Sequence, residues 1–251
     1  MAVMSGLVTG SVAGALSRLE SMPDGVREHA EQGLAQALLT PTAAFGSEDI
    51  DLVVDWHSTL EPDNDLTMML SMALTKREPE RALAWALSLT GDRRQAAVKG
   101  AFLSLAADDR ELAKRLVGEM HGQDRLEAAR TVLHAEVDDV PRTALAWALS
   151  FESETHRIEL ANSVLYSWCR KDPDAAVAEL VDLPAGRLRD KVAESAAVTV
   201  LIERPDLAER LFQIIESHEG RRLVGLMLHR FNRIEGDSEK AAYYREELSK
   251  L

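Results

Sequence analysis

One alanine recurs along this chain at a nearly constant interval of about 30 residues, as Ala82, Ala113, Ala144, Ala176 and Ala208. The heptapeptide from Ala144 to Ser150, Ala-Leu-Ala-Trp-Ala-Leu-Ser, is identical to the one from Ala82 to Ser88, two intervals earlier. A fixed period in this range marks supersecondary units that stack on one another. A unit of this length has room for two helices and a turn. It cannot bury its apolar face alone, so its neighbours must supply the rest of the core.

Helices rather than strands fill the unit. Apolar residues make up 46% of the chain, but aromatics only 5%, and alanine and leucine, strong helix formers, carry most of the remainder. Each of the five clear units opens with a helix-start signal: Pro79, Arg110 after Asp108 and Asp109, Pro141 after Asp139, Pro173 after Asp172, and Pro205. Proline suits the first helical position, where its missing N–H would be unsatisfied anyway, and an aspartate just ahead can cap. This first helix, A, is expected to run about a dozen residues. It ends at a break rich in turn or capping residues: Thr90 to Asp92, Gly118 to Gln123, Glu152 to Glu154, Pro184 to Gly186, or His218 to Gly220.

The second helix, B, keeps its own register. Arg94, Arg125, Arg157, Arg189 and Arg221 are each followed one helical turn later by Val98, Ala129, Ala161, Ala193 or Gly225. Two turns after each arginine stand Ala101, Val132, Val164, Ala196 and Leu228. The same face therefore stays small and apolar for two turns, as close helix approach requires.

Fainter copies extend the pattern. Ala15, Leu16, Leu19, Met22, Pro23 and Gly25 mirror Ala176, Val177, Leu180, Leu183, Pro184 and Gly186 at one common offset. Ile50 to Leu60 reads as a helix A and Asp63 to Lys76 as a helix B, with a looser joint at Pro41 to Ser47. Asp237 to Leu251 is one further amphipathic helix, suited to shield the open end of an array. The expected organisation is a single domain over 1–251. It comprises a degenerate hairpin at 1–46, another at 47–78, five clear repeats at 79–236 and a capping helix at 237–251.

The recurring rhythm of Asp-Pro, alanine, tryptophan or leucine, leucine, then proline or glycine resembles the helical-hairpin solenoids, the broad group of tetratricopeptide and HEAT-like repeat proteins. The resemblance covers most of the chain. The two small positions of a unit, Ala82 and Val98 or Ala176 and Ala193, stand further apart than in the tetratricopeptide pattern, so no one family of the group is assigned. The resemblance implies an all-α, right-handed superhelix of about seven hairpins, with a concave groove for a peptide, helix or protein domain.

Charge and special residues narrow the chemistry. Forty-two acidic against 29 basic side chains give a net charge of −13, which repels phosphate backbones and anionic lipid; neither nucleic acid nor membrane is an expected partner. No apolar run long enough to span a membrane occurs. The uncharged stretch Ala2 to Leu16 contains Ala13-Gly-Ala15, like a signal-peptidase site, but no basic residue precedes it and Ser5, Gly6, Thr9, Gly10 and Ser11 interrupt it. The cytoplasm is the expected compartment, with the periplasm as the alternative. The single cysteine, Cys169, beside Trp168, reads as a buried structural thiol. His57 with Glu61 and His134 with Asp138 have helical i, i+4 spacing but no third ligand in view, so no metal or cofactor is expected. No dinucleotide, P-loop or nucleophile-elbow motif is present.

Two sets of residues remain as candidate partner contacts. The arginine column, Arg94, Arg125, Arg157, Arg189 and Arg221, opposes the helix dipole at the start of each helix B and so needs compensation. Asp92, Asp124, Glu154, Asp182 and Glu219 sit just ahead and could supply local ion pairs. Alternatively, stacking aligns the arginines with Arg93, Arg187 and Arg222 into a stripe that holds an acidic or phosphorylated partner. Trp85 and Trp147 share one position of helix A, held elsewhere by Leu116, Glu179 and Leu211; they read either as packing between hairpins or as aromatic anchors on a groove. Trp56 and Trp168, outside that register, read as core. The expected function is a noncatalytic scaffold that binds another protein or peptide. The alternatives are a regulatory or scaffolding region of a larger enzyme or envelope complex, and a solenoid enzyme acting on a polymer.

Overall fold

The computed structural model describes residues 11–39 and 46–251. The segment 2–10 of the uncharged N-terminal stretch and residues 41–45 of the expected joint lie outside them. Helices take up 81% of the described residues, and there is no strand among these. Two compact units divide the chain, Met1–Ala135 and Glu136–Leu251. In the first lie α1 (Val12–Glu20), α2 (Asp24–Leu38), α3 (Ser47–Ser58), α4 (Asn64–Thr75), α5 (Pro79–Ser88), α6 (Gly91–Asp108) and α7 (Arg110–Glu119), with α8 (Gly122–Glu136) closing it. The second holds α9 (Pro141–Leu149), α10 (Glu154–Lys171), α11 (Pro173–Val181), α12 (Arg187–Val200), α13 (Pro205–Ile214), α14 (His218–Glu235) and α15 (Ser238–Ser249).

The helix starts fall where the prolines stand: Pro79, Pro141, Pro173 and Pro205 each open a helix. Asp109 and Asp172 cap as expected, accepting from the Leu112 and Ala175 amides at 2.9 and 3.1 Å. At α9, Val140 takes the cap position with no side-chain cap bond, so Asp139 does not act there. Helix A is shorter than a dozen residues, nine or ten in each clear unit. The last break also moves. Ser217 accepts from the Gly220 amide and makes His218 to Gly220 the first turn of α14, leaving Ile215 to Ser217 as the joint. Ser and Asp compete well for orphan amides at a helix start, whereas a lone helical glycine does not stop a helix.

Within the first unit α1 packs on α2 and α3, α2 on α4, α4 on α5 and α6, α5 on α6, and α6 on α7. In the second, α10 touches α9, α11 and α12, and α12 touches α11, α13 and α14; α11 also meets α13, and α14 meets α13 and α15. The alanine column forms the floor of the packing in each unit: Ala82, Ala113, Ala144, Ala176 and Ala208 are all fully buried. Val98, Ala129, Ala161, Ala193 and Gly225 are buried as well, as are Ala101, Val132, Val164, Ala196 and Leu228. The tightest crossing joins α4 and α6. There Gly100 lies against the Met68 carbonyl, where a β-carbon would overlap it, and the Ser71 hydroxyl donates to the Ala97 carbonyl at 2.6 Å.

Polar cross-links repeat at about one unit's separation. Arg81 pairs with Asp51, Arg187 with Glu154 at 3.2 Å, Arg204 with Asp174, and Lys240 with Glu209 at 2.7 Å. Arg93 donates to the Leu60 carbonyl at 2.5 Å across 33 residues. Exposed pairs of this kind are each worth about 0 to 1 kcal/mol, so they fix register more than they supply stability.

Candidate interaction surface

The arginine column is tied into the turns between helices. Arg94 reaches the Leu87 carbonyl at 2.7 Å and, with Nε and Nη2, the Asp124 carboxylate at 2.9 and 2.5 Å. Arg157 donates to the Phe151 and Glu152 carbonyls, both at 2.9 Å. Arg189 donates to the Ile214 carbonyl at 2.9 Å and to Glu216 at 3.0 Å. Arg221 reaches Glu247 at 3.0 Å and lies 4.5 Å from the centroid of the Phe212 ring. Arg125 is half-buried at the matching place on α8. The acids that answer Arg94, Arg189 and Arg221 come from the following helix pair or from α15. The local acids Asp92, Asp182 and Glu219 do not pair with them among the described residues. A guanidinium used this way collects carbonyls left over at the end of helix A and holds the next turn against its own.

Asp190 also ties this joint, since its buried carboxylate accepts from the Glu216 and Ser217 amides at 3.2 and 2.6 Å. Two donors ahead of α14 are satisfied by one side chain of α12.

Trp85 is buried, its ring meeting His57 edge-on at 5.3 Å between centroids. Trp147 is half-buried and meets Phe151 at 5.6 Å. Trp56 and Trp168 are both buried. His57 is itself buried, its Nε2 2.8 Å from the Thr67 hydroxyl. That hydroxyl already donates to the Asp63 carbonyl at 2.6 Å, so Nε2 is the donor. Burial, reinforced by the Arg93 charge and opposed by Asp63, pushes the imidazole down to about 4. Cys169 is buried and its thiol is pushed up to about 11 by that burial. Among the described residues no group of three or more His, Cys, Asp or Glu side chains could hold a metal ion. No helix among them is long and apolar enough to cross a membrane.

The surface that stands out lies on, or just beyond, the second helices α10, α12 and α14 of the second unit. At the ninth position after the register arginine come Tyr166 on α10, Val198 on α12 and Arg230 on α14, all exposed. At the thirteenth come Arg170, Ile202 and Ile234, and the two isoleucines are 81% and 82% exposed. Leu223 and Leu226 on α14 are exposed too. Nothing in the local sequence pattern singles these positions out. At 100° per residue the ninth and thirteenth positions fall on the side of the helix opposite the small-residue positions, so the register that marks the buried face does not reach them. Between α10 and α12 a groove of about 460 Å³ is lined by Tyr166, Arg170, Val198 and Thr199, with Glu203 and Arg204 at one end. Arg170 donates to the Tyr166 hydroxyl at 2.9 Å and lies over its ring, which stiffens both side chains. A second groove of about 380 Å³ is lined by Arg222, Leu226, Leu248 and Leu251.

In the first unit a groove of about 690 Å³ is lined by Leu19, Trp56 and Leu66 together with Glu20, Glu28, Glu31, Glu61 and Asp63. Burial holds the Glu31 carboxyl above its usual range against the pull of Arg27, with Glu28 and Asp63 adding to the rise.

No protein-family model, curated protein or solved structure matches this chain.

Proposed function

We propose that this chain is a noncatalytic α-solenoid of about seven helical hairpins, closed by α15, that binds another protein. The binding surface is the outward face of its second helices. One observation carries the reading: Tyr166, Val198, Ile202 and Ile234 stand exposed in one register, at the ninth or thirteenth position after the arginine of their own unit. Isolated apolar residues are ordinary on a surface, but an aligned set rimmed by charge is the usual mark of a partner site. The arginine column contributes indirectly by holding the turns, and Trp85 by packing against His57; Trp147 stays half-exposed as a further candidate contact.

The test is affinity capture of the tagged chain from a lysate of the cells that make it, followed by mass spectrometry. Two folded variants run beside it: Val198→Asp with Ile202→Asp, and Arg125→Glu with Arg157→Glu and Arg189→Glu. A specific partner lost in the first variant is the expected result. Capture of nothing specific by folded wild-type protein, or a partner retained equally by both variants, would overturn the assignment.

A further inference from the structure

We propose that the outward face of α14, with the groove beside it, is the docking site for an acidic amphipathic segment of the partner protein. This rests on the protein-binding reading above and supplies the chemistry of the partner. At 100° per residue, Arg222, Leu223, Leu226, Arg230, Arg233 and Ile234 fall within about one third of the helix circumference, and all six are exposed. The opposite face is sunk into the core through Val224, Gly225, Leu228 and Asn232, with Gly225 letting Phe212 and Leu248 approach closely. The helix ends cleanly at Gly236, whose φ of 83° is the left-handed conformation that suits glycine, its amide following the Asn232 turn. The exposed face is therefore presented on a fixed support.

Its charge is out of keeping with the rest of the molecule. In a chain of net charge −13, α14 carries four arginines against two glutamates. Arg221 is engaged with Glu247 and the Ile215 carbonyl. Arg222, Arg230 and Arg233 make no hydrogen bond or ion pair among the described residues, although acids outnumber bases throughout the chain. Three unanswered guanidinium groups interleaved with three exposed aliphatic side chains match a segment that alternates carboxylates with apolar residues. The span from Arg222 to Ile234 is about 18 Å, or three helical turns, the footprint of a short helix laid in a groove. The groove of about 380 Å³ at Arg222, Leu226, Leu248 and Leu251 is large enough to receive an apolar side chain. A concave seat favours a protein segment over an anionic bilayer, which is flat.

The probe is a display library of random short peptides, selected on the purified full chain. Enriched peptides are resynthesised and titrated by fluorescence anisotropy in low and high salt. Enriched sequences should combine Asp or Glu with apolar residues at i, i+3 and i, i+4 spacing. Their affinity should fall about tenfold or more in Arg230→Glu with Arg233→Glu, and likewise in Leu226→Asp, and should weaken with salt. Circular dichroism verifies that each variant is folded. Enriched peptides that are basic or uncharged, or that bind the arginine variant as well as wild type, overturn the proposal. Peptides lost only in Val198→Asp with Ile202→Asp overturn it too, while leaving the protein-binding reading intact. Arginine-dependent binding of phosphatidylglycerol vesicles without any peptide enrichment overturns it in favour of a lipid surface. No enrichment and no vesicle binding overturns the proposal as well, while the protein-binding reading rests on the capture experiment.

Discussion

Replacing Gly100 with alanine should destabilise the first unit by about 1 to 3 kcal/mol, although alanine is the better helix former. In the interior of α6, intrinsic propensity favours alanine by about 1 kcal/mol. Against this, a β-carbon at Gly100 would overlap the Met68 carbonyl oxygen and stand 3.1 Å from the β-carbon of Ser71. Carbon atoms pack best at about 3.5 to 4.0 Å. Backbone cannot rotate aside as a flexible side chain does, so α4 and α6 would have to part by about 1 Å. That separation would also stretch the 2.6 Å bond from Ser71 to the Ala97 carbonyl, at a cost of about 1 kcal/mol. Overpacking adds about 1 to 3 kcal/mol, so the unfavourable sum exceeds the propensity gain. The control is Gly118→Ala. Gly118 lies in α7 at an ordinary helical angle, and a β-carbon there would meet nothing within 4 Å. The same change should be neutral or stabilising there, by up to about 1 kcal/mol. Urea denaturation followed by far-ultraviolet circular dichroism should move the Gly100→Ala midpoint down and the Gly118→Ala midpoint level or up. Equal shifts in the two variants, or a Gly100→Ala protein as stable as wild type, would refute the close-crossing argument.

Three further outcomes follow from other parts of the structure. Ala176→Leu and Ala144→Leu, at fully buried positions, should each cost about 1 to 3 kcal/mol by overpacking in the same denaturation assay. His57 makes the fold acid-sensitive. Its folded value of about 4 lies below the ordinary 6.5, so the unfolded chain binds the proton first. Stability from this group is therefore intact above about pH 6.5 and falls by about 3 kcal/mol as pH drops to 4. Urea midpoints between pH 7 and 4 should show that loss, and it should be smaller in His57→Gln. Cys169, buried and titrating near 11, should resist alkylation by iodoacetamide in the native protein at pH 8 and react fully in urea, as mass spectrometry would record.

The difference between what the sequence reveals and what it conceals is one of distance along the chain. Pro79, Pro141, Pro173 and Pro205 mark helix starts because proline acts on its own turn. The alanine and small-residue columns are legible because periodicity within one helix defines its buried face. The partners of the arginines are not. Asp124 answers Arg94 from 30 residues away and Glu247 answers Arg221 from 26, and both depend on how one helix pair is displaced against the next. Local acids such as Asp92 and Asp182 look equally suitable from spacing alone. The exposed face has the same obstacle in reverse. Leu223 and Leu226 look like core residues until the packing shows that Val224, Gly225 and Leu228 have taken the buried side of α14. The last break falls ahead of its expected place because Gly220 suggests a turn, whereas the Ser217 cap has already begun the helix.

The cross-links that join neighbouring helix pairs have a kinetic consequence. Arg81 to Asp51, Arg94 to Asp124, Arg204 to Asp174 and Lys240 to Glu209 each close a loop of 30 or 31 residues. Closure entropy grows with the logarithm of loop length, and folding rates fall as contacting residues lie further apart in the chain. A chain with cross-links as short as these can begin folding at an adjacent pair of hairpins and grow outward. It should therefore gain structure quickly and in steps, and lose it first at pairs that have a neighbour on one side only.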